Sequence, residues 1–174
     1  LRSELLYILD ASFFPSRSVI MLEKLDSFNA LSCIHHQLHL PANLAILFRR
    51  LQRWHKYFLP HYNRQELALE LLASNLPVTA AIKADLIRGD AIKHLTQLSQ
   101  LLSELPSLVN GAPSRIFNRL ETYELATLVL AGVLSPYRSV IWQFLTRWRH
   151  FSPLVTGHDL QKWGCPRGKM IGLF

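Results

Sequence analysis

Apolar residues recur at helical spacing along most of this chain. In the clearest stretch they lie three and four residues apart, at Leu44, Leu47, Phe48, Leu51, Trp54 and Phe58. This spacing puts them on one stripe of an α-helix. Pro41 suits the first turn of such a helix, and Pro60 cannot continue it. The pattern therefore predicts a helix that begins at Pro41 and ends before Pro60.

Similar spacing predicts further helices, which Gly, Pro and Asn residues separate. The predicted ranges are 64–75, 78–88, 91–105, 113–120, 122–134 and 136–150. Between the second and third, Gly89 closes one helix and Asp90 caps the next. No segment shows the alternation of a strand, and the chain contains no internal repeat. The predicted fold class is all-α, a multi-helical array of short antiparallel helices joined by short loops.

The last part of the chain predicts a small helical tail. Thr156 is a candidate N-cap, and Asp159 three residues later completes a variant of the capping box. We expect a helical body over residues 1–151, with a neck-like segment over about 1–60. Residues 152–174 would then be the start of the tail.

Composition indicates a protein with a sizeable core. Hydrophobic residues make up 49% of the chain and charged residues 18%, which excludes global disorder. No secretory signal opens the sequence, and the longest apolar stretch, 125–134, is far shorter than the roughly 20 residues of a membrane span. Cys33 and Cys165 are expected to be reduced. We expect a cytoplasmic protein with no membrane partner.

The chain also has the features of a piece of a longer protein. It begins at Leu1 without an initiator Met, and it ends in an unfinished apolar pattern over 170–174. We therefore expect a truncated tail.

Positive charge is concentrated in two blocks. The whole chain carries a net charge of +7, of which residues 49–64 contribute +5 and residues 138–174 contribute +5. Residues 1–48 contribute −1 and residues 65–137 contribute −2. Clustered positive charge is typical of a protein that binds a polyanion.

The first block predicts a cationic helix face. Four of its five basic residues, Arg49, Arg50, Arg53 and Lys56, form this face, and three of them follow helical spacing; Arg64 is the fifth. Such a face can contact successive phosphates of a nucleic acid in a salt-dependent way. The alternative interpretation is an ordinary solvated helix face, and the absence of acids between 49 and 64 does not decide between the two.

The second block mixes cations with aromatic rings. Rings among basic residues can stack on exposed bases, so this block is the stronger candidate for RNA contact. Trp142 and Trp148 are expected to be core residues instead. The predicted contacts are Arg147, Arg149, Lys162, Trp163, Arg167, Gly168 and Lys169.

Other site types lack the residues they need. The segment 164–169 is one residue too short for a phosphate-binding P-loop and is followed by Met170 rather than Ser or Thr. His35 and His39 have helical spacing, but Cys33 is the only further ligand nearby, so we expect no metal. The pair His158-Asp159 would suit a metal-dependent phosphohydrolase only with further ligands that the sequence does not mark.

Three segments carry a resemblance to a known family. At the C-terminus, Leu154-Val155-Thr156-Gly157-His158-Asp159-Leu160, then Gly164-Cys165-Pro166-Arg167-Gly168-Lys169 and Gly172, resembles the tail signature of tRNA nucleotidyltransferases and poly(A) polymerases. At the N-terminus, Leu1-Arg2-Ser3-Glu4-Leu5 with Ile8-Leu9, and Met21-Leu22 with Leu25, is similar to the segments that follow the catalytic head in this family. The segment 113–120 is similar to a helix of the family's body. Arg167 and Lys169 depart from the signature, because the family often has prolines there.

The resemblance implies an RNA-binding module without catalysis. In this family a head domain holds Mg²⁺ and nucleoside triphosphates, while the body and tail grip the acceptor stem and elbow of tRNA. The head's Gly-Ser motif and Asp-x-Asp pair are absent from this sequence, and two-metal phosphoryl transfer needs such carboxylates. We therefore expect no cofactor and no activity in this chain alone, and RNA and the catalytic head as its partners. The alternative hypothesis is a helical protein-interaction domain whose basic surface binds an acidic protein.

Overall fold

A computed structural model describes residues 2–10 and 14–150 of the chain. These residues form nine α-helices and two short 3₁₀ turns and contain no strand, which confirms the all-α prediction. The helices are α1 (Arg2–Ile8), α2 (Ser16–Ser27), α3 (Leu44–Phe58), α4 (Arg64–Ala73), α5 (Val78–Lys83), α6 (Asp90–Leu108), α7 (Pro113–Glu121), α8 (Leu125–Leu134) and α9 (Arg138–Thr146). The 3₁₀ turns are Ala30–Cys33 and Trp148–His150.

Several helix ends differ from the prediction. α3 begins at Leu44 rather than Pro41, because a turn closed by the Leu44 N–H on the Pro41 carbonyl, at 3.0 Å, precedes the helix. Asp90 is the first residue of α6 rather than its cap, and the cap position is Gly89, with φ at +54°. The predicted helix 136–150 divides into α9 and the second 3₁₀ turn.

The largest difference is at the end of α5, which stops at Lys83 instead of residue 88. Asp85 adopts a left-handed backbone conformation, with φ at +54°. The Leu86 N–H then donates to the Ala81 carbonyl at 3.0 Å, and the Asp85 N–H donates to the Ile82 carbonyl at 2.9 Å. These two bonds form a Schellman motif, which ends a helix by satisfying its last carbonyls.

Helix α8 lies at the centre of the fold. It packs against α3, α6 and α9, and its residues from Ala126 to Val133 are all buried. Burial on every side explains why its sequence is apolar on every side rather than along one stripe. Gly132 allows α3 to approach closely, since a Cβ at this position would lie 2.1 Å from the ring of Trp54.

A single hydrophobic core extends through the described residues. It includes Leu5 and Leu22 from the predicted neck as well as Leu101 and Phe144 from the predicted body. The predicted tail, 152–174, lies outside the described residues. No helix in the described ranges is long and apolar enough to span a membrane.

Candidate nucleic-acid interface

The two longest stretches of the sequence without an acidic residue lie far apart in the chain. One extends from residue 27 to residue 65 and the other from residue 125 to residue 158. The first includes α3, and the second includes α8 and α9. Because α8 packs against both α3 and α9, the fold assembles these acid-free helices into one part of the molecule.

The cationic face predicted on α3 is present. Arg49, Arg53 and Lys56 are all exposed, and their spacing of four and three residues aligns them along one side of the helix. The Arg49 Nε–H donates to the Ala45 carbonyl one turn earlier, at 3.2 Å. No described carboxylate lies within ion-pair distance of any of these three side chains.

Cations elsewhere in the described fold are often paired. Ion pairs join Arg2 to Glu66, Arg88 to Asp85, Lys93 to Glu124, and Arg119 to Glu104. The absence of such pairs on α3 and α9 leaves their positive charge available to an external anion.

Arg50 has a different environment from its neighbours. Its guanidinium is partly buried and donates a hydrogen bond to the Val133 carbonyl in the last turn of α8. That carbonyl is one of the four without a partner inside the helix, at the negative end of the helix dipole. Burial and the nearby charge of Arg138 lower the pKa of Arg50. Arg50 therefore joins α3 to the end of α8 and lies close to a second guanidinium.

A groove of about 530 Å³ separates α3 from α9. Tyr57 is 66% exposed and meets Trp142 at a ring-centroid distance of 5.7 Å and an angle of 81°. Trp142 in turn contacts the buried Trp54 ring, at 5.2 Å between centroids, so the core holds Trp142 in position. The groove is lined by Arg53, Trp54, Tyr57, Arg138, Ser139, Trp142 and Gln143.

This groove combines the two side-chain types that bind single nucleotides. Guanidinium groups bind phosphate oxygens through charge-assisted hydrogen bonds, and aromatic rings stack on bases. Neither Arg53 nor Arg138 has a hydrogen-bond or ion-pair partner among the described residues. The arrangement suits a ligand that carries negative charge and a flat ring.

The structure places the other predicted contacts elsewhere or does not describe them. Arg147 and Arg149 are exposed but follow the end of α9 and do not line the groove. Trp148 is half-buried and lines a separate, mainly apolar cavity of about 350 Å³ together with Phe117. The remaining predicted contacts lie outside the described residues: Lys162, Trp163, Arg167, Gly168 and Lys169.

Trp142 and Trp148 were both expected to be core residues, and both are half-buried and pack against the core. The Trp142 ring also lines the groove beside Tyr57. Tyr57 and Arg138 were not among the predicted contacts, although Arg138 was counted in the second charged block. The absence of acidic residues around Tyr57 and Arg138 is the sequence feature that could have identified them. Helical periodicity does not indicate that α9 lies beside α3.

The histidines considered for metal binding do not lie on a helix. His35 and His39 follow the first 3₁₀ turn in a non-helical segment, so their spacing does not put them on one face. The His35 ring stacks on His36, with centroids 4.5 Å apart, and its Nδ1 accepts a hydrogen bond from the Gln37 N–H. Among the described residues, no three His, Cys, Asp or Glu side chains are grouped as metal ligands.

We compared the chain with models of protein families, with curated proteins and with solved structures. None of the three comparisons gave a match.

Proposed function

We propose that this chain is an RNA-binding module, and that its α3–α9 region binds the phosphate backbone of a structured RNA. The observation that carries the proposal is the assembly of acid-free segments around α8. Arg53 and Arg138 come from different segments and line one groove without a carboxylate partner. A surface of this kind attracts a polyanion over a distance and releases condensed counterions when it binds.

The resemblance to tRNA nucleotidyltransferases and poly(A) polymerases supports a more specific proposal. The module would hold the acceptor stem and elbow of tRNA while a separate catalytic head acts on the 3′ end. The head would supply the Mg²⁺ and nucleotide sites. We also propose a cytoplasmic location, with which the exposed free thiol of Cys33 agrees.

The first test measures tRNA binding by fluorescence anisotropy over a series of salt concentrations. The test variant Arg53→Glu/Arg138→Glu reverses both groove cations. We expect it to bind tRNA at least tenfold more weakly and to show a smaller dependence of affinity on salt, because fewer counterions are released.

The matched control is Arg17→Glu/Lys83→Glu. Both residues are exposed, on α2 and α5, and neither lines the groove. The control changes the net charge by the same amount, so it measures the effect of total charge. Equal losses of affinity in the two variants would contradict a binding surface located at the groove.

The predicted C-terminal contacts are tested separately with Arg167→Glu/Lys169→Glu. We expect weaker tRNA binding and a smaller salt dependence for this variant too. Unchanged affinity would remove these two residues from the proposed interface.

A competition experiment separates RNA binding from the alternative of an acidic protein partner. We expect unlabelled tRNA to displace bound tRNA at far lower concentrations than a poly-glutamate peptide of equal charge. Equal displacement by the peptide would favour the protein-interaction hypothesis.

A further inference from the structure

We propose that the groove between α3 and α9 binds one unpaired RNA nucleotide, with its base stacked on Tyr57 and in edge-to-face contact with Trp142, and its phosphates held by Arg53 and Arg138. The inference rests on the proposed RNA-binding function and goes beyond it. A surface that contacts only the backbone of a duplex needs cations but no aromatic ring, whereas this groove has both.

The exposure of Tyr57 is the first argument. On α3 the neighbouring aromatic residues Trp54 and Phe58 are buried and half-buried, whereas the Tyr57 ring is 66% exposed. Contacts with Phe58, at 6.4 Å between centroids, and with Trp142, at 5.7 Å, hold this ring in place. A ring already fixed in position loses little conformational entropy when a base stacks on it.

The angle between the rings is the second argument. Tyr57 and Trp142 meet at 81°, so together they form a corner. A base stacked on the face of Tyr57 would point its own edge towards Trp142. Both contacts are favourable, because aromatic groups prefer offset-stacked and edge-to-face arrangements. The corner therefore suits a single flat ring better than a stack of paired bases.

The polar lining is the third argument. Gln143 and Ser139 each offer both a donor and an acceptor, so they can satisfy the edge of any base. The volume of about 530 Å³ lies within the roughly 300–1,000 Å³ range of ligand sites. We therefore expect little preference among the four bases, as is usual where stacking provides most of the affinity.

The arrangement of the charges completes the site. Arg50 is held by the Val133 carbonyl in the last turn of α8, and its pKa is lowered by burial and by repulsion from Arg138. A phosphate between Arg53 and Arg138 would reduce this repulsion. The phosphates on either side of the unpaired nucleotide would then continue towards Arg49 and Lys56 along α3.

The test compares two RNA probes with the full chain. Labelled oligoadenylate supplies unpaired bases, and a blunt-ended RNA duplex supplies only backbone. We expect Tyr57→Ala to weaken oligoadenylate binding by roughly 5- to 150-fold, the range for loss of one stacked base. Its affinity for the duplex and the salt dependence of binding should not change. Tyr57→Phe should bind both probes like the wild type.

Tyr7→Ala is the matched control, because Tyr7 is 64% exposed and lies on α1 rather than at the groove. We expect it to leave oligoadenylate binding unchanged. Trp142→Phe gives a second readout while keeping an aromatic ring against the core. Quenching of tryptophan emission by oligoadenylate should be smaller in this variant than in the wild type.

The outcomes separate the two proposals. If Tyr57→Ala binds oligoadenylate like the wild type while Arg53→Glu/Arg138→Glu binds it more weakly, the groove contacts phosphate alone. The stacking inference is then wrong, and the RNA-binding proposal stands. If the wild type binds neither these probes nor tRNA, both proposals are wrong.

Discussion

Glu70 is a carboxylate in the middle of the apolar core, with only 1% of its surface exposed. It accepts a hydrogen bond from the Tyr62 hydroxyl at 2.8 Å, and His94 Nδ1 lies 3.0 Å from its other oxygen. A buried charge is stable only when it is paired and hydrogen-bonded. These contacts link α4 to α6 and to Tyr62, which lies two residues before the first residue of α4, and they hold the Glu70 carboxylate in position inside the core.

The stability of the fold should depend on pH through His94. Burial lowers the pKa of His94, but its hydrogen bond to Glu70 and the charges of Glu70, Glu124 and Asp90 outweigh burial, and the pKa is raised above 6.5. The folded state therefore binds the proton more tightly than the unfolded state does. The contribution of His94 to stability is complete below pH 6.5 and is lost as the pH rises through the raised pKa.

The corresponding variant is His94→Gln. We expect it to lose about 3 kcal/mol of stability just below pH 6.5, because Glu70 remains buried without its ionic partner. The difference between variant and wild type should shrink as the pH rises above 6.5. Urea unfolding at a series of pH values measures this, and a difference that stays constant with pH would contradict the role of His94.

Single residues of this kind are the least predictable part of the fold from sequence. The helical spacing around Glu70 and His94 shows neither that the two meet nor that both are buried. The aromatic corner was missed for the same reason, since Tyr57 and Trp142 are 85 residues apart in the chain.

At the scale of helices, most elements were predictable and several ends were not. Apolar periodicity located α3, α4, α6, α7 and α8 because each buries one stripe or its whole surface. The end of α5 was mispredicted because Asp85 replaces the glycine that normally marks a left-handed C-terminal position. Sequence signals for helix ends fail where an unusual residue adopts the required conformation.

Two substitutions at position 85 isolate that backbone effect. Asp85→Gly and Asp85→Ala both remove the exposed ion pair with Arg88, so they differ only in the residue that adopts φ of +54°. We expect the Gly variant to be more stable than the Ala variant by about 1 kcal/mol, since left-handed backbone is strained for Ala. Thermal unfolding of the two variants measures the difference, and equal stability would show that α5 ends for another reason.

The packing of α3 on α8 depends on Gly132. In Gly132→Ala the added Cβ would lie 2.1 Å from the Trp54 ring, so α3 or the ring must move. We expect overpacking to lower the free energy of unfolding by about 2 kcal/mol. Adding Trp54→Phe should recover part of this loss, because a smaller ring leaves room for the methyl group. A double-mutant cycle with no coupling would contradict direct contact between these two positions.

At the scale of the whole molecule, the predicted neck and body are joined by one core. Leu22 of α2 and Leu101 of α6 are both fully buried within it. The sequence suggested a neck-like segment over about 1–60, but local periodicity carries no information on whether two segments share a core. Long-range packing of this kind can be read only from the fold.

A shared core should give cooperative unfolding. We expect Leu22→Ala and Leu101→Ala each to cost about 3 kcal/mol, and each to shift unfolding curves from circular dichroism and from tryptophan fluorescence by the same amount. Separate transitions for the two probes in either variant would show that residues 1–60 unfold independently.

The acid-free stretches have a further consequence for kinetics. They give the molecule a lasting electrical asymmetry, because the carboxylates of the described residues all lie on other segments. Electrostatic attraction guides a diffusing polyanion to the α3–α9 side and orients it before contact. At physiological salt this attraction acts over a Debye length of roughly 8 Å. Added salt should therefore lower the association rate constant far more than it raises the dissociation rate constant, because dissociation depends on the contacts within the formed complex.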